Sequence, residues 1–133
     1  MTTPISLPKT FSSFTETWSP HLVASVNDQH VKIAKLDGAF VFHAHPDSDE
    51  LFYVLEGDLT MEVEVDAGEG QRHETKKVEA VIMKPGDMYN VPKGVRHRPV
   101  AKNAHVIMVE KAGTVNTGDV EDSERRREPV DVR

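Results

Sequence analysis

The chain of 133 residues contains no cysteine, so disulfide bonds, thiolate metal sites and cysteine nucleophiles are excluded. It also lacks an apolar run near the roughly 20 residues that a membrane-spanning helix needs. The first ten residues include Pro4 and Pro8 but no apolar core of a secretory signal. Acidic residues outnumber basic ones, and the formal net charge of −6 argues against a phosphate-binding face. We therefore expect a cytoplasmic protein that binds neither membranes nor nucleic acid.

The middle of the chain has the pattern of an all-β protein. Apolar and polar residues alternate through residues 59–65, as in a half-buried strand, and turn sequences such as Asp37-Gly38 separate similar runs. Strands are predicted over residues 31–36, 39–45, 51–55, 59–65, 78–83, 88–91, 97–101 and 105–110. The polar residues 66–77 are predicted to form a surface loop or hairpin tip. Many short strands with regular turns predict a single-domain β-sandwich or barrel.

The two ends of the chain have different patterns. Phe11, Phe14 and Trp18 are three and four residues apart, as on one face of a short helix whose N-cap would be Ser13. After Asp119 the chain is mostly charged, so this segment is predicted to be solvated or loosely docked. The expected organisation is an N-terminal arm with a short helix at 1–28, a β-barrel at 29–112 and a polar, charged tail at 113–133.

Four side chains form a candidate metal site. His43 and His45 are one residue apart, and residues i and i+2 of a strand point to the same face. Glu50 can be added by a returning strand, and His97 comes from a distant one. Three imidazole nitrogens and one carboxylate suit a divalent first-row metal ion. The other histidines outside the strands are predicted to lie on the surface: His21, His30 and His73.

The residues around these four ligands fall into two motifs. The first contains Gly38, His43, His45, Glu50 and Gly57, and the second contains Gly86, Pro92, Gly94 and His97. Both resemble the motifs of the cupins, with Ala101 where that family often has asparagine. The resemblance covers about residues 30–110 and implies a double-stranded β-helix, the jelly-roll barrel. It also implies one divalent metal ion (Fe, Mn, Ni or Zn) held by the four side chains, and a homodimer.

Strand alternation also predicts what surrounds the metal ion. Side chains two residues apart on a strand share a face, so the neighbours of the four ligands at this spacing should face the same cavity. The predicted pocket residues are Val41, Phe52, Val54, Met61, Tyr89 and Pro99. An apolar lining with few polar groups is usual for a small-molecule site. Lys32, Lys35 and Arg98 are predicted to be surface side chains that extend past apolar groups to solvent, and the alternative is that one of them is a charged anchor for an anionic ligand.

Two functions fit this pattern. In the first, the protein is a metal-dependent enzyme acting on a small organic molecule, since open positions on the ion let substrate or water bind. Similar cupins include dioxygenases, isomerases, decarboxylases and lyases, so an oxidoreductase or an isomerase is expected, and the fold does not choose among them. In the alternative, the barrel binds or senses a small sugar or acid without turnover. The sequence assigns no catalytic acid or base apart from the metal ligands.

Overall fold

The computed structural model describes residues 2–67, 76–122 and 124–133. In these ranges the chain forms the elements α1 (Leu7–Ser12), β1 (His21–Val26), β2 (Gln29–Ala39), β3 (Glu50–Asp66), β4 (Lys76–Met83), β5 (Met88–Val91), β6 (His97–Lys111) and β7 (Val130–Asp131). The predicted all-β jelly roll with a short N-terminal helix is therefore confirmed. Strands β3 and β4 pair up to Asp66 and Lys76, but most of the predicted loop between them, including His73, lies outside the described residues.

The seven strands of the described chain form one sheet in the order β4-β3-β6-β2-β1-β7, with β5 paired to β3. Two pairs of predicted strands are fused, because residues 51–55 and 59–65 both belong to β3, and residues 97–101 and 105–110 both belong to β6. Gly57 lies at the irregularity in β3, with φ +78°, and a Cβ there would overlap the backbone of Asn103 in β6. This glycine therefore marks a close approach between two strands, not a chain reversal.

The predicted strand over residues 39–45 is wrong for most of its length. Strand β2 ends at Ala39, and only His43 makes a β-bridge, with His97. The amide N–H of His43 donates to the carbonyl of His97 at 3.0 Å, and the amide of His97 donates to the carbonyl of His43 at 2.8 Å. Two backbone bonds thus hold the first motif against the start of β6.

The N-terminal helix forms earlier than predicted. Ser6 is its N-cap, accepting from the amide of Lys9 at 3.3 Å, and Ser13 is the C-cap and not the N-cap. Phe11 and Phe14 are buried, as the aromatic spacing indicated, because the helix packs its apolar side on the outer face of the sheet. The local capping sequence at Ser6, followed by Pro8, outweighs the weaker capping pattern at Ser13.

Strands β1 and β7 lie outside the predicted barrel segment and yet join its sheet. The amide of Val130 donates to the carbonyl of Pro20 at 2.9 Å, and the amide of Val132 donates to the carbonyl of Leu22 at 3.0 Å. The last four residues are therefore docked on the sheet by their backbone, while most of their side chains remain exposed, which fits the loosely docked alternative of the prediction. The charged side chains of this tail are mostly exposed, and its backbone makes the contacts with the sheet. The amino-acid composition of the tail does not reveal such backbone contacts.

Alternating burial divides the core into two parts. The larger cluster fills the barrel and includes Leu36, Phe52 and Met61, while the smaller one, around Ile33, lies between the sheet and the N-terminal segment. Ile33 faces outward because its neighbours in β2, Ala34 and Lys32, face inward. No helix in the described part of the chain is long and apolar enough to cross a membrane.

Candidate metal centre

The four predicted ligands meet at one point inside the barrel. His43, His45, Glu50 and His97 each offer a ligand atom, and these atoms all lie within 4.8 Å of one another. All four side chains are buried, with exposed fractions between 1% and 6%. They come from the segment after β2, the first residue of β3 and the first residue of β6. The structure therefore brings together residues that are up to 54 positions apart (97 − 43).

Hydrogen bonds to the backbone fix the orientation of two imidazoles. Nδ1 of His43 donates to the carbonyl of Val41 at 2.8 Å, and Nδ1 of His97 donates to that of Val95 at 2.9 Å. A carbonyl oxygen only accepts, so in the neutral rings these bonds place the proton on Nδ1 and leave a lone pair on Nε2. Metal-ligating histidines are usually held in this way.

The contacts around Glu50 fit a cation. Its Oε1 lies 3.2 Å from Nε2 of His45 and 3.2 Å from Nε2 of His97. A divalent ion bound here would take Oε1 of Glu50 and the Nε2 atoms of His45 and His97 as ligands. The donor set, the burial and the ring orientation together fit a divalent metal ion, although they do not identify it.

The protonation states also suit metal binding. Burial, followed by the nearby His97, lowers the pKa of His43 to about 4. Burial alone would raise the pKa of Glu50, but contacts with His45 and His97 outweigh it and hold that pKa well below its usual range. At neutral pH the imidazole of His43 is therefore neutral and Glu50 is ionised. These are the forms that a metal ion binds.

A cavity of about 40 Å³ opens beside the centre. Its lining is Trp18, Pro20, Ala34, Leu36, Phe40, His43, Glu50, Phe52, Pro99, Met108, Glu110 and Asn116. Of the predicted pocket residues, Phe52 and Pro99 face this cavity. Val54 and Met61 share the inner face but lie deeper in the packed core. Tyr89 is partly buried and packs against the core from outside, and Val41 is half-buried beyond His43. Strand parity predicted the inner face for Phe52, Pro99, Val54 and Met61, but it did not predict the depth along the barrel and it failed for Tyr89.

Sequence reasoning missed one polar group of this cavity. Glu110, on β6, is 3% exposed, and its Oε1 accepts from Nζ of Lys32 at 2.8 Å. Lys32 is only 2% exposed, so its predicted surface position is wrong. Burial and the charge of Glu50 raise the pKa of Glu110 well above its usual range, although Lys32 opposes this. Glu110 could have been found as a charged residue two positions after Met108, on the inward face of its strand.

The segment after β6 supports the ligands from outside. The amide of Asp119 donates to the carbonyl of Ala44 at 2.9 Å, and the Asp119 carboxylate accepts from the amide of Ala44 at 2.8 Å. Gly118 has φ +58°, and a Cβ there would overlap the carbonyl of Ala44 and lie 3.0 Å from the ring of His43. The side chain of Asn116 lines the cavity and bonds the backbone of Arg125 and Arg127. This segment holds the His43–His45 turn in place.

Other predicted side chains lie away from the centre. His21 is buried, contrary to its predicted surface position, and its ring stacks on Phe14 with 3.7 Å between centroids. Lys35 donates to the carbonyl of Phe14 at 2.6 Å, and Arg98 pairs with Glu62 on the barrel exterior. These groups contribute to packing and surface pairing and do not reach the cavity.

Comparison with known proteins identifies the family of this chain. The profile of the cupin domain matches residues 29–110, and the chain therefore belongs to the cupin family. The uncharacterized protein YdbB of Bacillus subtilis (strain 168) is 38% identical over 76 residues. The match spans 57% of this chain and 57% of YdbB, so the chain covers a little over half of that relative.

Solved structures show the same fold. A cupin-2 domain protein from Shewanella frigidimarina is 37% identical, with a TM-score of 0.63 over 80% of this chain and 92% of that one. Hydroquinone 1,2-dioxygenase from Sphingomonas sp. TTNP3, solved with 4-hydroxybenzoate bound, is 20% identical, with a TM-score of 0.65 over 84% of this chain and 32% of that one. At that identity the second likeness shows the fold alone.

Proposed function

We propose that this protein is a metal-dependent enzyme acting on a small organic molecule, with His43, His45, Glu50 and His97 as ligands of one divalent ion. The observation that carries the proposal is the convergence of these four buried donors beside an apolar cavity. A structural metal would not need a cavity next to its ligands, whereas a small-molecule site does.

The ion would supply Lewis-acid or redox chemistry to an oxygen-containing group at its open positions. The chain's own residues would do the rest. Phe40 and Phe52 give the cavity an apolar lining, the carbonyl of Val41 holds the ring of His43 in one orientation, and Glu50 remains ionised. Iron, manganese, nickel and zinc all accept this donor set. A related fold, the hydroquinone 1,2-dioxygenase PnpCD, has been solved in complex with Fe³⁺, which makes an oxidoreductase the first class to test.

The experiment has two stages. Elemental analysis of the purified protein identifies the metal, and the cobalt-loaded protein is then titrated with azide while its visible spectrum is recorded. We expect one equivalent of metal and a spectrum that changes with azide, because four protein ligands leave positions open. His45→Ala should lose both signals, and His105→Gln, outside the centre, should keep them. A spectrum unaffected by azide would mean a closed, structural metal and would contradict the proposal.

A second candidate is a binding or sensing protein without turnover. The same apolar cavity supports it, because a small molecule can bind there without reacting. Turnover assays of the metal-loaded protein against small acids, sugars and catechols separate the two functions. Binding without any product, over a full panel, would favour the sensing role.

We also propose a homodimer, as the sequence predicts. Strand β4 is an edge strand, and its Val78 and Ile82 are exposed, the latter by 68%. Antiparallel pairing of two copies of β4 about Ala80 would place each Val78 opposite the partner's Ile82. Ile82→Lys should then yield a monomer in analytical ultracentrifugation.

The cytoplasmic location stays a prediction, which cell fractionation tests.

A further inference from the structure

The metal cavity opens to solvent on one side. All of its lining residues are buried except Trp18 and Asn116, which are partly exposed. The mouth of the cavity therefore lies between these two side chains. A molecule that binds the metal ion and is larger than the cavity must extend outward between them.

The side chain of Asn116 holds a charged segment at this mouth. Its Nδ2 donates to the carbonyl of Arg125 at 2.8 Å, and its Oδ1 accepts from the amide of Arg127 at 2.9 Å. Both polar groups of the side-chain amide are used, so the backbone of residues 125–127 is fixed beside the cavity. The charged tail thus forms part of the rim of the mouth, with its arginine side chains exposed.

Trp18 forms the opposite side of the mouth in a constrained conformation. Its φ of +58° lies in the left-handed region, which a bulky residue rarely adopts. The amide of Trp18 donates to the carbonyl of Lys35 at 2.8 Å, and its ring Nε1 donates to the carbonyl of Asp37 at 2.9 Å. The ring stacks on Phe40 with 4.9 Å between centroids. Strain of this kind is concentrated at ligand sites, and here it fixes a flat apolar surface at the mouth.

A second pocket, of about 160 Å³, lies outside the mouth, and we call it the outer pocket. Trp18 and Phe40 line both the outer pocket and the metal cavity, so the two spaces adjoin. The other residues that line the outer pocket are Thr17, Ala39, Glu124, Arg125 and Arg127. The outer pocket therefore combines an apolar wall with charged groups.

Arg127 is the cation of the outer pocket that has free donors. The other one, Arg125, is paired through Nη1 with the carboxylate of Asp122 at 2.7 Å. Nη1 of Arg127 donates to the carbonyls of Glu124 and Arg126, at 2.6 and 2.9 Å, and these bonds orient the guanidinium. Its Nε and Nη2 have no protein partner within the described ranges of the chain. Two neighbouring N–H groups of this kind form a fork that fits a carboxylate.

We propose that Arg127 binds the anionic end of an elongated ligand whose other end binds the metal ion. The ligand class is a small molecule with an oxygen donor at one end, an apolar middle that lies against Trp18 and Phe40, and a carboxylate at the far end. A dicarboxylate or an aromatic acid with a second oxygen donor has this form. This inference rests on the proposed function, since it needs an accessible metal ion.

The test compares ligands that differ only in the far carboxylate. The dicarboxylates from succinate to suberate, and the monocarboxylate of the same length as each, are titrated into cobalt-loaded protein by visible spectroscopy. We expect the preference for the dicarboxylate to peak at one chain length, because the distance from the metal ion to Arg127 is set by the fold. At this length the dicarboxylate should bind about fivefold more tightly, the effect of a well-placed exposed ion pair.

Matched variants separate Arg127 from the general charge of the tail. Arg127→Gln should abolish the preference, whereas Arg126→Gln, which removes the same charge from a neighbour outside the outer pocket, should keep it. Glu124→Gln should strengthen the preference, because it removes the acidic residue of the outer pocket. Arg127→Lys keeps the charge without the fork and should retain part of the preference. Metal content should stay at the wild-type level in all four variants.

The outcomes are distinct. A preference that is absent, that does not depend on chain length or that persists in Arg127→Gln overturns the role of Arg127, while azide binding still supports an open metal centre. An equal loss in Arg126→Gln would mean general electrostatic attraction and overturns that role as well. Failure of azide and of every carboxylate to change the spectrum overturns the proposed function itself.

Discussion

Gly118→Ala tests how the segment after β6 supports the metal ligands. Gly118 has φ +58°, and a Cβ on this residue would overlap the carbonyl of Ala44 and come within 3.0 Å of the His43 ring. The carbonyl belongs to the backbone between His43 and His45, so relief of the overlap must move either the ligand turn or the supporting segment. Gly113→Ala is a matched control, since Gly113 has φ +88° and nothing lies within 4 Å of the added atom.

The magnitude follows from two contributions. A left-handed backbone conformation costs a non-glycine residue about 1–2 kcal/mol, and this cost applies to both variants. Overlap in a well-packed region adds about 1–3 kcal/mol, and this applies only to Gly118→Ala. Any effect of alanine on the unfolded chain is common to both and cancels in the comparison. We therefore expect Gly118→Ala to be less stable than Gly113→Ala by about 1–3 kcal/mol.

Two measurements check this expectation. Chemical denaturation of the metal-free proteins gives the free energies of unfolding, and competition with a chelator gives the metal affinity. Only Gly118→Ala should lose metal affinity, by about tenfold, as is usual when groups that position a ligand are disturbed. Equal stability and equal metal affinity of the two variants would refute the claim that this segment positions His43.

Three further predictions concern the centre and its surroundings. His45→Ala and His97→Ala should each lower metal content strongly in a protein that circular dichroism shows to remain β-rich, and normal metal content in both would contradict the ligand assignment. Removal of residues 130–133 should lower the Tm by several °C, because it breaks the backbone hydrogen bonds of Val130 and Val132, worth about 1 kcal/mol each; an unchanged Tm would mean that β7 does not stabilise β1. Lys32→Met alone should cost about 3–5 kcal/mol in denaturant unfolding, because it leaves Glu110 buried without its partner, whereas Lys32→Met/Glu110→Met should be near neutral.

The centre itself could be predicted from the sequence. The spacing of His43, His45 and Glu50, together with a distant His97, reflects chemistry that any metal site of this type needs, and the structure brings these four together. Turn residues and alternating apolar positions likewise predicted most strands of the barrel. Both signals are local, because side-chain period and turn chemistry are properties of a few neighbouring residues.

The continuity of the long strands β3 and β6 could not be predicted, because it depends on contacts between residues far apart in the sequence. Gly57 lies between Glu56 and Asp58, a sequence that is typical of a turn, yet the chain continues through it as β3. Strand β6 passes so close to this position that only a glycine fits. The residues near Gly57 in the sequence do not show that Asn103 will lie against it in the fold. Only the packed sheet distinguishes a glycine that reverses the chain from one that admits a neighbouring strand.

The sequence alone determined the four candidate ligands and the class of fold, and the tertiary structure decided what surrounds them. Lys32 and Glu110 are ordinary charged residues in the sequence, 78 positions apart, and their burial as a pair depends on the pairing of β2 with β6. The docking of Gly118 and Asp119 on Ala44 likewise depends on where the chain returns after β6. Alternation with Met108 places Glu110 on the inward face of β6, but no local pattern shows which residue of another strand lies against it.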